Sequence, residues 1–130
     1  MTQSVCIIGG GSGIGLALAQ HYAETHTVVV ISRQPSLQLP GIRWIQDPLT
    51  SETTSAERVA TALAQQPDII FICNGVLHDN QAMPEKTIRQ LDINQLAVRF
   101  ASNVQVPALY LKLLFGYLCK RPAVKLLVLS

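Results

Sequence analysis

The segment best suited to binding a charged ligand lies near the start of the chain, in Ile8-Gly9-Gly10-Gly11-Ser12-Gly13-Ile14-Gly15. Glycine has no Cβ, so a run of it lets backbone N–H groups close around a diphosphate, and a helix beginning there adds its positive end. The spacing is G-x-x-x-G-x-G through Gly9, Gly13 and Gly15. It is not G-x-G-x-x-G, because Ile14 fills that pattern's last glycine position. Gly11 and Ser12 complete the candidate phosphate cradle, with a backbone donor and a hydroxyl. Such a cluster is evidence only where a strand runs into a helix.

The flanking residues supply that context. Val5 to Ile8 is a short apolar run ending on glycine, as expected of a strand covered on both faces. Apolar residues then recur at helical spacing from Ile14 to about His26, and Thr27 to Ile31 restores a β-branched run. Ser32 to Gly41, with Pro35 and Pro40, reads as a loop and Ile42 to Ile45 as a short strand. A helix is predicted over about Thr54 to Gln65, with Thr54 and Glu57 at capping-box spacing, and a strand over Ile69 to Cys73. Beyond a polar loop from Asn74 to Met83, Pro84 suits the first turn of a short helix to about Leu91. A long helix from about Gln95 to Leu118, interrupted at Pro107, leads into a fifth strand from Val124 to Leu129. Strands alternating with helices imply a doubly wound parallel α/β sheet of the Rossmann type, order 3-2-1-4-5, truncated after strand five.

Composition narrows the function. The 130 residues fit one domain, 48% hydrophobic, with 10 basic against 8 acidic residues and 5% aromatics. Neither a phosphate-tracking basic face nor a base-stacking platform is indicated, so nucleic acid is not the expected partner. The greasiest stretch, Val104 to Cys119, is broken by Gln105, Pro107 and Lys112 and reads as a buried helix rather than a membrane span. The N-terminus lacks a signal-peptide pattern. Cys6, Cys73 and Cys119 are odd in number, widely spaced and set in apolar runs, so reduced core thiols are expected, with no metal site. A cytoplasmic protein follows as the expectation.

The nucleotide is read further along. About twenty residues past the glycine turn, an acid would bind the adenosine ribose 2′-hydroxyl of NAD, whereas an arginine accommodates the 2′-phosphate of NADP. Here stand Ser32 and Arg33, so NADP(H) is expected in preference to NAD(H). Gly9-Gly10-Gly11-Ser12-Gly13 also fits the G-x-G-x-G turn of methyltransferases that use S-adenosylmethionine. That chemistry calls for an acid before the turn and another ending the second strand, where Ile7 and Ser32-Arg33 occur instead, so it ranks lower.

Together, Ile8 to Gly15, Asp47 with Leu49, Cys73-Asn74-Gly75 and Asn103 resemble the short-chain dehydrogenase/reductase family, nearest to its C-factor-like members. The resemblance implies a hydride-transferring oxidoreductase acting on a small carbonyl or alcohol. It places Gly9, Gly13, Ile14 and Gly15 at the cofactor diphosphate and Asp47 at the adenine. Pro48 has no N–H for that adenine, and Leu49 is expected to stand in. The family's Asn-Asn-Ala-Gly is replaced by Ile72-Cys73-Asn74-Gly75, so Asn74 and Gly75 are the expected ribose contacts. Asn103 matches the catalytic asparagine, and Pro107 cannot donate to the Asn103 carbonyl four residues earlier, which frees that oxygen for a water.

His78 and Asp79 are neighbours on a polar loop and read as solvated; Tyr117 and Lys120, three apart, read as a core tyrosine and a helix-end cation. The family's Tyr-x-x-x-Lys does not occur in these residues, and Ser130 falls where its catalytic serine region begins. The segment alone is therefore expected to be inactive, a homo-oligomer is expected to cover the apolar edge of strand five, and the alternative is a non-catalytic NADP(H) sensor.

Overall fold

The computed structural model describes residues 3–74 and 92–129. In chain order these form β1 (Ser4–Ile8), α1 (Gly13–Ala23), β2 (Thr27–Ser32), β3 (Ile42–Gln46), α2 (Glu52–Leu63) and β4 (Ile69–Ile72). After the undescribed segment come α3 (Ile93–Phe100), a π-helical turn (Ala101–Gln105), α4 (Val106–Lys120) and β5 (Lys125–Val128). The strands make one parallel sheet in the order β3-β2-β1-β4-β5, the expected doubly wound topology. The expected helix after Pro84, together with Gly75, His78, Asp79 and Ser130, lies outside the described residues.

Alternation along the central strands divides the core in two. Val5 and Ile7 of β1, with Val28, Val30 and Phe71, pack under α1 through Ala19. Cys6 and Ile8, with Val29, Ile31, Ile70 and Ile72, pack on the other face against Val59 and Ala62 of α2 and Tyr110 and Leu114 of α4. Both faces of β1 are thus buried, which is why it is continuously apolar from Val5 to Ile8. The covered faces hold the C-terminal ends of β1, β2 and β4 in register, and the glycine turn leaves from there.

Local boundaries differ from the sequence reading in instructive ways. The cap of α2 is Ser51, whose Oγ accepts from the Thr54 N–H at 3.1 Å, rather than Thr54 itself. Helix α1 stops at Ala23, short of His26. Cys119 is exposed rather than in the core, while Cys6 is buried and Cys73 half-buried. The break at Pro107 is a widened turn in which the Val106 N–H reaches back five residues to the Ala101 carbonyl, and helix continues on both sides. Helix α3 buries none of its residues and leaves Ile93 and Phe100 exposed. Among the described residues, no helix is long and apolar enough to cross a membrane.

Burial pushes the Cys6 thiol up from its ordinary 9.0 to about 12. Between those values the folded chain holds a proton that the unfolded chain has released, so stability is full below pH 9 and falls as pH rises towards 12. The loss from this one group is up to ~1.4 kcal/mol per pH unit. Urea unfolding at about pH 8 and about pH 10.5 should show a stability deficit at the higher value, smaller in Cys6→Ala. An equal deficit in both proteins removes Cys6 as its source.

Candidate nucleotide site

The site starts where β1 ends. The Gly9 N–H donates to the Ile31 carbonyl at 2.8 Å, and the Cys73 N–H donates to the Ile8 carbonyl at 2.7 Å, so the turn is pinned between β2 and β4. Gly15 lies buried on the first turn of α1 against the Gly9 carbonyl and the Gly10 Cα, with no room for a Cβ. Gly13 is at φ +55° in open space, so backbone conformation rather than contact requires glycine there. Ile14 projects beside it, exposed. Ser12 is the N-cap of α1 with extended backbone, yet its side chain makes no capping hydrogen bond. Its hydroxyl and the first N–H groups of α1 are therefore free to meet an anion.

Gly9, Gly11, Ser12, Ser32, Arg33, Gln34, Cys73 and Asn74 surround one cleft of about 90 Å³. On that measure one water needs about 10–15 Å³, so the cleft has room for a group of phosphate size. Six residues singled out from sequence thus converge: Gly9, Gly11, Ser12, Ser32, Arg33 and Asn74. Asn74 Oδ1 is buried without a hydrogen-bond partner. An orphaned acceptor in a cleft costs free energy unless a ligand donor meets it, and a ribose hydroxyl has the right chemistry. Bare glycine backbone, an unspent serine hydroxyl, an exposed arginine and an unpaired amide oxygen are the groups that a phosphate and a ribose hydroxyl could use.

Asp47 and Leu49 take a different place from the one the resemblance implied. Asp47 is fully buried and does not line the cleft. Its Oδ1 accepts from the Leu49 N–H at 3.0 Å and its Oδ2 from the Tyr110 hydroxyl at 2.8 Å. The Leu49 N–H, expected to replace the one Pro48 lacks, is spent inside the protein, with Leu49 held at φ +59°. The carboxylate acts as a strut: the Asp47 N–H donates to the Ser32 carbonyl at 2.8 Å, so the pair ties α4 to the end of β2. Burial first, then the hydrogen bond to Asp47, hold the Tyr110 phenol far above its ordinary value, while the Arg33 guanidinium works in the opposite direction. Arg33 therefore lies within electrostatic reach of this buried pair.

Sequence reasoning missed Tyr110, because nothing local marks a tyrosine whose partner is 63 positions away. Asn103 sits exposed in the middle of the π-helical turn and is not among the residues around the cleft. Tyr117 is half-buried, its hydroxyl donating to the Pro67 carbonyl at 2.7 Å. Lys120 occupies the last turn of α4, as expected of a helix-end cation.

No protein-family model and no curated relative matches the chain. Solved structures do. A short-chain dehydrogenase from Leptospira borgpetersenii with bound NAD+ superposes with a TM-score of 0.74 at 18% identity, over 98% of this chain and 50% of the other. A short-chain dehydrogenase family protein from Francisella tularensis gives 0.68 at 24% identity, over 89% and 46%. A 3-ketoacyl-(acyl-carrier-protein) reductase from Brucella melitensis complexed with NADH gives 0.74 at 18% identity, over 93% and 52%. The chain shares their fold and spans about half their length.

Proposed function

We propose that this chain binds a nicotinamide dinucleotide, NADP(H) in preference to NAD(H), as the cofactor-binding part of a short-chain oxidoreductase acting on a small carbonyl or alcohol. The observation that carries this reading is the glycine turn, open to a cleft at the start of α1, with Asn74, whose buried Oδ1 is unpaired, among the residues that line it. The shared fold with short-chain dehydrogenases that hold NAD+ or NADH supports it.

The chain's residues divide the dinucleotide between them. Amides of the turn and the Ser12 hydroxyl take the diphosphate, where the helix end contributes about 0.3–1 kcal/mol per charge. Gly15 keeps the helix close enough for those amides to converge. Asn74 takes a ribose hydroxyl, and Ser32 and Arg33, at the end of β2, face the adenosine 2′ position. When bound, the cofactor supplies the hydride; the protein's share is to hold and orient it. A cytoplasmic setting and a homo-oligomer belong to the same reading.

The cofactor preference is tested at Arg33. Its fork of N–H donors pairs with a 2′-phosphate, and a carboxylate there would repel it. Arg33→Asp should weaken NADPH about a hundredfold, equivalent to ~2.7 kcal/mol, and change NADH less than about threefold. Calorimetric titration with each nucleotide measures this. Equal losses for both take Arg33 out of the site.

A further inference from the structure

We infer that Trp44 and Gln46 of β3 are positioning residues for nucleotide discrimination, holding the backbone under Arg33 from the neighbouring strand. The parallel ladder between β2 and β3 ends at Ser32 and Gln46, with one further bond from the Asp47 N–H to the Ser32 carbonyl. Past that point β3 offers no backbone donor to the carbonyls of Arg33 and Gln34. Two side chains take over. Gln46 Nε2 donates to the Arg33 carbonyl at 3.1 Å, and Trp44 Nε1 donates to the Gln34 carbonyl at 2.9 Å. Trp44 and Gln46 are two residues apart on a strand and so share one face. Both reach towards the same two peptides.

The rest of the arrangement makes this a clamp rather than two chance contacts. The Gln34 N–H donates to Ser32 Oγ at 3.0 Å, closing the turn that the clamp grips. Arg58 Nε donates to the Gln46 carbonyl at 3.0 Å, so the gripping strand is itself tied to α2. The Trp44 ring also lies near the phosphate side: a Cβ added to Gly11 would stand 3.6 Å from its Cζ2. One indole thus stands near the glycine turn and bonds to the loop that carries Arg33. An exposed arginine on an unheld loop must be ordered when ligand binds, and that cost comes out of affinity. Held backbone removes much of it, and only a ligand that uses Arg33 benefits.

This assignment rests on the nucleotide-binding reading above. Its test is calorimetric titration of the 130-residue chain with NADPH and with NADH. Trp44→Phe and Gln46→Met each remove one N–H donor and keep most of the bulk. Each should weaken NADPH by about threefold to tenfold, the effect of one lost hydrogen bond, and NADH by less than about twofold. In an Arg33→Ala background neither should cost NADPH anything further, since the clamp acts through that arginine. Retained NADH affinity shows that a variant is folded. Equal losses of both nucleotides, unchanged NADPH affinity, or the same loss without Arg33 overturns the clamp while the nucleotide reading stands. Failure of the wild-type chain to bind either nucleotide overturns both.

Discussion

Replacing Gly15 with valine should abolish dinucleotide binding, with a loss of at least about a hundredfold, or ~2.7 kcal/mol. The cause is geometric. A Cβ at position 15 would run into the Gly9 carbonyl and the Gly10 Cα, both backbone atoms, so the helix and the turn must separate. The amides that converge on the cleft then point elsewhere, and hydrogen bonds to an anion weaken steeply once misaligned. Overpacking of this kind also costs about 1–3 kcal/mol of stability, so the variant should melt several degrees lower while remaining folded. Gly13→Ala is the informative contrast. A Cβ there meets nothing, and the penalty is only that of a non-glycine residue at φ +55°, about 1–2 kcal/mol. Gly13→Ala should keep measurable NADPH binding by titration calorimetry. If both variants bind alike, close approach at Gly15 is not what shapes the site.

The second large effect concerns stability. Tyr110→Phe removes the donor at 2.8 Å from Asp47 Oδ2 and leaves a fully buried carboxylate with the Leu49 N–H as its remaining donor among the described residues. An underpartnered buried charge is expensive, and the expected loss in urea unfolding is about 2–4 kcal/mol. Adding Asp47→Asn should recover part of it, because the amide oxygen still accepts from Leu49 and no buried charge remains to be paired. A double variant less stable than Tyr110→Phe by the full cost of Asp47→Asn alone would mean the two side chains do not act together. The expected linkage to function is indirect: with the strut gone, the end of β2 loses its tie to α4, and NADPH affinity should fall with it.

The fold was largely legible because its signals are local and agree with one another. Continuous apolar strands, glycine at a strand-to-helix junction and β-branched runs each name an element, and right-handed crossovers leave few sheet orders to choose from. The glycine turn was legible for the same reason, since seven consecutive backbone positions, Gly9 to Gly15, carry it. Distance in sequence set the limit. Asp47 matched a motif position, yet its carboxylate is occupied by a tyrosine 63 residues on, and no pattern of spacing announces that pairing. Gln46 and Trp44 reach backbone carbonyls 13 and 10 positions away, where only the folded register decides which donor meets which acceptor. Pro107 announced a disturbed helix but not its form: Tyr110 and Leu114 stay buried against the sheet, so the chain absorbs the missing donor in a wider turn and keeps its direction. Thr54 was the expected cap and Ser51 is the observed one: both offer a hydroxyl three residues apart, and spacing alone does not choose between them.

Nitrogen-15 amide spectra of the chain, recorded while NADPH is added, bear most directly on where the diphosphate sits. Saturable shifts should be largest for the amides of Gly11, Ser12, Gly13 and Ile14 and should vanish in Gly15→Val. Saturation that leaves those four amides unmoved, or shifts produced by S-adenosylmethionine and not by NADPH, would contradict the account.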